Sequence, residues 1–403
     1  MTEIAALLAR QPIVDQSKKL QGYELLFRSD TPDALQAADG DRVTSELLDN
    51  VFSAFDLDEL VGDNPAYINC TRNLLLQKTL INPDRFVLEV LEDVKLDKEL
   101  LVCLKKLRDE GFTIALDDFE LDSQTIKAIP FVDIIKIDVL QHNKEEIASL
   151  FNTLKQHKVK LLAEKVENYQ MFEYCKQLGF ELFQGYFLCK PEVLSGKKME
   201  SNKLVVMELV TKLQNPEIDF DDLAGIIDKD PSIAYKLLKL VNSSFYHRGK
   251  NVESIRQAIT ILGLTQVRNL VTILMLSKLT DKPNELTITA LVRAMMCQLL
   301  AKNTTGTDPG GSFLVGLLST LDAFMDQPLD ALIDSMPVPD SYKEAIINFN
   351  GLMGTILINT MLYEQGAWQK INWNQLSEHN ITDYAMRDAY CNSLKAAQAL
   401  QNL

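Results

Sequence analysis

The sequence has little positive charge. Of its 403 residues, 41 are lysine or arginine and 56 are aspartate or glutamate, so the formal net charge is −15. Broad binding to nucleic acid or to an anionic membrane surface needs a positive field, so we expect no direct DNA binding and no membrane binding. A small anionic ligand held through metal ions is still compatible with this charge.

Paired cysteines and long apolar runs are also missing. The six cysteines lie far apart and form no CxxC pair, which favours free thiols in a reducing compartment. The stretch MTEIAALLARQPIV has no basic segment before a long apolar core, so we expect no signal peptide. The longest strongly apolar uncharged run, near Asn269–Ser277, is far shorter than the roughly 18–20 residues of a membrane span. These absences predict a soluble cytoplasmic protein.

The first half of the chain alternates short apolar runs with helical patterns, which predicts an α/β fold, a closed (β/α)8 TIM-like barrel. Only DQSKKLQG separates the first two runs, so they should form a hairpin and make one strand of the barrel antiparallel. The predicted strands are Leu7–Val14, Tyr23–Phe27, Ala66–Cys70, Phe86–Val90, Phe112–Leu116, Asp133–Val139, Val159–Ala163 and Glu181–Leu188.

After Pro191 the alternating pattern stops. Glu192–Asn202 is polar and reads as a linker, and the remainder shows helical patterns, including a start signal at Asp230-Pro231. We predict a barrel domain over residues 1–195 and an all-helical domain over residues 196–403.

Polar side chains recur at the carboxyl ends of the predicted strands, which meet on one face of a parallel barrel. Carboxylates and one carboxamide, with no His or Cys among them, suit Mg²⁺ or Mn²⁺. Each acid alone could be a solvated or ion-paired surface residue, but their succession along the strands favours one shared site. The polar residues are Glu24, Asn69, Glu89, Asp117, Asp118, Lys136, Asp138, Glu164 and Gln184.

Asp117 and Asp118 are adjacent, and such a pair of like charges is costly without a cation or a hydrogen-bond network. Asp117 is well placed to bridge two ions. Two divalent ions a few ångströms apart favour phosphoryl-type displacement, in which one activates water and both stabilise charge on the phosphorus oxygens.

These motifs resemble the EAL family of cyclic-di-GMP phosphodiesterases. GYELLFR, at Gly22–Arg28, is similar to the family signature, with Leu25 where alanine is usual. The resemblance covers residues 1–195 and implies hydrolysis of cyclic-di-GMP to pGpG with two Mg²⁺ or Mn²⁺ ions. The other motifs are YINC with Asn69, LEVLE at Leu88–Glu92, DDF at Asp117–Phe119, KID at Lys136–Asp138, AEKVE at Ala163–Glu167 and QGYFLCKP at Gln184–Pro191.

The resemblance implies a role for each matching residue. The ligands of one ion are Glu24, Asn69, Glu89 and Asp117. The ligands of the other are Asp117, Asp118 and Glu164, with Glu164 also a candidate base. Lys136 orients the attacking water and Gln184 supports the site. The contacts to cyclic-di-GMP are Arg28, whose planar fork suits two phosphate oxygens, with Asp138 and Gln11.

Two departures from the family pattern affect the metal site. The loop after DDF, Glu120–Ile126, contains no glycine, although in the family a Gly-rich loop orders the bridging acids and couples them to dimerisation. Its anchors, Glu92 and Glu167, are present. Lys165 stands where glycine is usual. These changes predict weak activity.

The second half resembles the HDOD domain, a helical relative of HD phosphohydrolases, most closely over Asp222–Val271. HD enzymes bind metal through a His-Asp pair, but Ser319 and Thr320 stand at the expected position. Only two of the four histidines lie in this half, and neither is beside an aspartate. We predict a metal-free interaction or regulatory domain that forms a homodimer or binds a protein partner.

Two functions from different classes remain. The leading one is a metal-dependent cyclic-di-GMP phosphodiesterase, favoured by the complete ligand set. The alternative is a weak or inactive cyclic-di-GMP receptor or scaffold acting through protein contacts, favoured by the altered loop. Hydrolysis of another phosphoester in the same barrel is a minor third possibility.

Overall fold

The computed structural model describes residues 6–29, 57–77, 81–192, 201–215, 217–243, 252–279 and 281–401. The chain divides into two compact units, Met1–Phe187 and Leu188–Leu403. The predicted boundary between residues 195 and 196 lies outside the described residues and stays a prediction.

Eight strands form a closed barrel in chain order. The first strand pairs antiparallel with the second and the eighth, and the remaining neighbours are parallel. This confirms the predicted irregular (β/α)8 barrel with one antiparallel strand. The strands are β1 Ala6–Asp15, β2 Leu20–Ser29, β3 Ala66–Cys70, β4 Phe86–Val90, β5 Thr113–Leu116, β6 Ile134–Asp138, β7 Lys160–Glu164 and β8 Leu182–Gln184. The α-helices described in this unit are α1 Leu57–Val61, α2 Arg72–Leu76, α3 Lys98–Asp109, α4 Thr125–Ala128, α5 Lys144–Leu154 and α6 Tyr169–Leu178.

A layer of apolar side chains supports the polar end of the barrel. Val87, for example, lies two positions before Glu89 on β4, so the two side chains point to the same face of the strand. The same spacing relates Leu162 to Glu164 and recurs on β3, β5, β6 and β8. Strand periodicity therefore places the polar groups one layer above a packed core. The layer consists of Ile13, Tyr67, Val87, Ala115, Ile134, Leu162 and Leu182.

Strand β8 is shorter than predicted, because Gly185 ends it directly after Gln184. Gly185 has φ +148°, and a Cβ at this position would lie 2.3 Å from the carbonyl oxygen of Val166. Only glycine fits such a close backbone approach. The chain then continues as a 3₁₀ turn at Tyr186–Cys189, and Gln184 is fixed at the open end of the strand.

The second unit is helical throughout its described residues, as predicted. Asp230 caps the helix Pro231–Val241, and its side chain accepts hydrogen bonds from the backbone N–H groups of Ser232 and Ile233. The helices are α7 Ser201–Leu213, α8 Phe220–Asp228, α9 Pro231–Val241, α10 Ile255–Leu262, α11 Leu264–Leu276, α12 Asn284–Lys302, α13 Pro309–Leu318, α14 Leu321–Met325, α15 Leu329–Asp334, α16 Asp340–Ile347, α17 Gly351–Glu364, α18 Trp373–Ser377 and α19 Asp383–Gln401.

One segment of the described residues, Asp340–Glu364, is long and apolar enough to cross a membrane when only length and composition are considered. The structure divides it into α16 and α17, with left-handed backbone at Phe349 between them and at Gly351, where α17 begins. Helix α17 has 14 residues, fewer than the roughly 20 that cross a hydrocarbon core. The segment is therefore weak support for a membrane span.

Two lysines converge on Asp326 in the helical unit. The ammonium groups of Lys203 and Lys282 each lie 2.6 Å from a carboxylate oxygen of Asp326, and the backbone N–H of Glu192 donates to it at 2.7 Å. Burial alone raises the pKa of Asp326, but the hydrogen bonds from the two lysines outweigh it and hold that pKa below its usual range. The ionised carboxylate therefore stabilises the fold.

Asp326→Asn should lower the free energy of unfolding by about 1–2 kcal/mol at pH 7, because charged hydrogen bonds to two lysines are lost. Asparagine tolerates the left-handed φ of 54° at this position, so the substitution isolates the charge. The folded pKa lies below the unfolded value of about 3.9, so the contribution is complete above that value and is lost as the pH falls through the folded pKa. Urea unfolding of both proteins at pH 7 and in acid measures this contribution. If the difference in their free energies of unfolding does not shrink in acid, the assignment is contradicted.

Candidate functional site

The open end of the barrel collects the polar residues predicted from the sequence. Seven of the nine residues occupy the last two positions of β3, β4, β6, β7 and β8 or the loop that follows β5, whereas Lys136 and Glu24 lie within β6 and β2. Gln11, on the antiparallel strand β1, stands opposite Glu24 in the register. The structure therefore brings the predicted residues together at one end of the barrel, and their assignment as a functional site stays a prediction.

Lys136 lies at the centre of this end of the barrel. Its ammonium nitrogen is 2.8 Å from carboxylate oxygens of Glu89, Asp117 and Glu164, and 3.6 Å from Glu24. The Lys136 side chain is completely buried. Four carboxylates around one ammonium leave three negative charges uncompensated when all are ionised, so the cluster favours additional cations.

The pKa values reflect this crowding. Burial alone lowers the pKa of Lys136, but the four carboxylates around it raise that pKa well above its usual range, so it stays charged. Burial, with the charges of Glu24 and Asp117, raises the pKa of Glu89 well above its usual range, although Lys136 lowers it. Burial also raises the pKa of Glu164 to about 8, against the lowering effect of Lys136. Like-charged acids held together in a dry site are the cause.

An amide network holds Glu24 on the other side of the cluster. The Gln184 amide donates to Glu24 at 2.5 Å and to the Oε1 of Gln11 at 2.9 Å. The Asn69 amide donates to Glu24 at 3.4 Å. Because the side-chain NH₂ groups of Asn69 and Gln184 point to Glu24, their side-chain oxygens point away from it.

Asp118 and Asp138 form a second acidic group, which shares Lys165. The Lys165 ammonium lies 2.5 Å from Asp138 and 3.5 Å from Asp118. Asp138 also accepts from the backbone N–H of Leu140 and from the Gln141 amide. Lys165 has φ +54°, which explains why glycine suits this position in the family. The sequence marked Lys165 as a departure, but only the structure shows that its charge joins the site.

The glycine-free loop after Asp118 is held by its own side chains. The Asp122 carboxylate accepts from the N–H groups of Gln124 and Thr125, and the Thr125 hydroxyl donates to the carbonyl of Glu120. Glu92 and Glu167 are both exposed, and in the described residues no hydrogen bond or ion pair joins them to this loop. Their role as loop anchors stays a prediction.

Arg28 belongs to β2, but its side chain lies outside the described residues. Its proposed contact with a ligand phosphate therefore stays a prediction, and the site is assessed from its other members.

The donor set fits hard divalent cations. The buried side-chain oxygens Asn69 Oδ1, Gln184 Oε1 and Glu89 Oε2 have no hydrogen-bond partner among the described residues, and every candidate ligand presents oxygen. Among the described residues, no three Asp, Glu, His or Cys side chains are already arranged as a metal cluster. In this arrangement the carboxylates point to the Lys136 ammonium, which occupies the space between them.

The helical unit has a charged pair near the position expected for an HD metal site. Arg293, on α12, donates to Glu364 Oε2 at 2.8 and 3.0 Å and to the hydroxyl of Ser319 at 3.2 Å. Burial raises the pKa of Glu364, while Arg293 lowers it. The arginine supplies an organic cation beside Ser319. The signal for this pair in the sequence is the single arginine inside the apolar run ALVRAMM.

Comparison with protein families identifies both units. The EAL domain model matches residues 49–191, and the HDOD domain model matches residues 201–325. The chain therefore joins an EAL domain to an HDOD domain. The EAL match begins after β1 and β2, which nonetheless complete the barrel.

Two curated proteins are similar over most of this chain. The uncharacterized protein YuxH of Bacillus subtilis is 29% identical over 97% of this chain and 99% of its own. The cyclic di-GMP phosphodiesterase CdgJ of Vibrio cholerae is 29% identical over 92% of this chain and 87% of its own.

Solved structures give weaker similarities. The EAL enzyme Bd1971, with cAMP and cyclic-di-GMP bound, is 18% identical, with a TM-score of 0.38 over 45% of this chain and 61% of that chain. A manganese and cyclic-di-GMP complex of BlrP1 from Klebsiella pneumoniae is 24% identical, with a TM-score of 0.39 over 46% of this chain and 56% of that chain. This chain thus spans less than two thirds of either structure's chain.

Proposed function

We propose that the protein is a cyclic-di-GMP phosphodiesterase that converts cyclic-di-GMP to pGpG with two divalent ions, Mg²⁺ or Mn²⁺. The observation that carries the proposal is the Lys136-centred cluster, in which four carboxylates surround a single buried ammonium and their negative charge is larger than its positive charge. The name of the relative CdgJ and the matching EAL motifs support the same substrate.

The cluster has oxygen ligands for two ions. Those proposed for one ion are Glu24, Asn69, Glu89 and Asp117, and those proposed for the other are Asp117, Asp118 and Glu164. When bound, such ions lower the pKa of water and stabilise charge on a phosphate. The buried oxygens Asn69 Oδ1 and Glu89 Oε2 support this assignment, because they lack donors within the described residues.

The chain's own residues then position the reactants. Lys136 is a permanent cation at the floor of the site, where it orients the attacking water. Glu164 is the candidate base, since burial raises the pKa of its carboxyl and so makes it a stronger proton acceptor once a nearby cation has ionised it. Gln184 holds Glu24 and Gln11 in place. Asp138 and Arg28 are proposed to contact the dinucleotide.

A receptor is the second candidate, because Lys165 and the glycine-free loop both alter the surroundings of Asp118. Binding and turnover separate the two functions. An enzyme consumes cyclic-di-GMP in the presence of Mg²⁺ or Mn²⁺, whereas a receptor binds it and returns it unchanged.

We propose that the helical unit is a non-catalytic interaction domain that forms a homodimer or binds a protein partner. Arg293 beside Ser319 supports this role, because a fixed cation there disfavours a metal. We also propose a cytoplasmic location, which the six unpaired cysteines support.

The helical unit should contribute no metal site to the full-length protein, so Glu89→Ala with Asp117→Ala should remove bound Mn²⁺ completely. Residual stoichiometric Mn²⁺ in that double variant would place a site elsewhere.

Replacing residues 120–126 with a Gly-Thr-Gly-containing family loop should lower the Mn²⁺ concentration needed for half-maximal turnover and raise turnover. The present loop is fixed by Asp122 and Thr125, so it cannot adjust the backbone at Asp118, where φ is 37°. Affinity for cyclic-di-GMP should change less, because other residues contact it. A folded chimera with no gain at any metal concentration would show that the loop is not limiting.

A further inference from the structure

We propose that Lys165 is a built-in cation that competes with the ion bound at Asp118, so that the protein binds one divalent ion tightly and the second weakly. This inference rests on the proposed function, because it concerns the same metal site. It assigns to Lys165 a role in setting metal affinity. The family motif has no lysine at this position.

The geometry places the Lys165 charge at the second ion's ligands. Lys165 directly follows Glu164, the last residue of β7, and its ammonium bridges Asp138 at 2.5 Å and Asp118 at 3.5 Å. The two acids come from different strand ends, so the lysine joins the β5 and β6 sides of the opening. A cation 3.5 Å from Asp118 already offsets part of its negative charge and so lowers the gain from adding another cation.

The backbone fixes this arrangement. Lys165 has φ +54°, which is costly for a residue with a Cβ. The following residue is held on both sides, because Val166 N–H donates to the Gln184 carbonyl and Phe187 N–H donates to the Val166 carbonyl. The start of the lysine side chain is therefore directed by the fold, and only its flexible stem is free to move.

Lys165 and Lys136 differ in solvent exposure, which decides whether each side chain can move away when a metal ion binds. Lys136 is completely buried, whereas the side chain of Lys165 is 49% exposed. Lys165 can therefore move into solvent when a divalent ion arrives, at the cost of its bonds with Asp118 and Asp138. The second ion binds only when its concentration is high enough to offset that cost.

The test is a Mn²⁺ titration of the full-length protein, without nucleotide, by calorimetry and by electron paramagnetic resonance. The wild type should bind one ion tightly and a second weakly, with the spin-coupled signal of a Mn²⁺ pair appearing only at high concentration. Lys165→Met should tighten the second site by at least about tenfold, because a cation near a divalent ion is removed. Lys165→Gly should do the same and also suits the positive φ.

Two controls separate charge from general effects. Lys165→Arg keeps the cation and should resemble the wild type. Lys160→Met removes the same charge at the exposed start of the same strand and should leave both affinities unchanged. Two equally tight ions in the wild type, unchanged in Lys165→Met and Lys165→Gly, would overturn this inference and leave the proposed function standing. No Mn²⁺ bound to any of these folded proteins would overturn both.

Discussion

Replacing Glu89 by glutamine is expected to lower metal-dependent turnover of cyclic-di-GMP by at least about 100-fold, the order of effect seen when one charge-stabilising group leaves an active site. Glu89 is fully buried and contacts the Lys136 ammonium at 2.8 Å. Glutamine keeps the shape of the side chain and removes one of the four carboxylates. Asp117→Asn should act in the same direction, because Asp117 is proposed to bridge the two ions.

Glu181→Gln is the matched control for this prediction. Glu181 is an exposed acid just before β8, at the opposite end of the barrel from Gln184, so its loss should leave turnover unchanged. Circular dichroism and thermal unfolding check that the Glu89 and Asp117 variants keep the wild-type fold. Undiminished turnover in both folded variants would remove the Lys136 cluster as the active site.

The second large effect is expected in the helical unit. Arg293→Met should lower the free energy of unfolding by about 3–5 kcal/mol, because it leaves the buried Glu364 carboxylate without its cation. The Arg293 side chain is only 1% exposed, so water cannot replace the lost bonds. Urea unfolding of the full-length protein, followed through the transition of the helical unit, measures the change.

The double variant Arg293→Met with Glu364→Met separates pairing from packing. Removing both charges together should cost less than the Arg293 substitution alone, since no isolated charge remains in the core. Arg387→Met, which breaks the pair between the half-buried Arg387 and the exposed Asp388, should change stability by less than about 1 kcal/mol. A similarly small effect of Arg293→Met would mean that the buried pair does not stabilise the unit.

The barrel and the meeting of its polar residues at one end could be predicted because strand periodicity controls both. Side chains two positions apart share a face, so the residues above Val87, Ile134 and Leu162 had to point into the same end of the barrel. Distances could not be predicted in this way. Periodicity does not show that Lys136 contacts three carboxylates at 2.8 Å, because this depends on how a long side chain crosses the barrel interior.

Other features escaped prediction because they arise between distant segments. The early end of β8 depends on the approach of Gly185 to Val166, and the apolar run at Glu181–Leu188 carries no sign of it. Lys165 was recognisable only as a substitution for glycine, while its partners Asp118 and Asp138 come from other strands. Arg293 and Glu364 are 71 positions apart and meet only in the folded helical unit.

The most direct test is incubation of the full-length protein with cyclic-di-GMP and either Mg²⁺ or Mn²⁺, with separation of the products by chromatography. Glu89→Gln, Glu181→Gln and a chelator-treated sample are run in parallel. We predict that the wild type and Glu181→Gln form pGpG, and that Glu89→Gln and the chelated sample do not. Bound cyclic-di-GMP that is recovered unchanged from the wild type at every metal concentration would contradict the enzyme and establish the receptor.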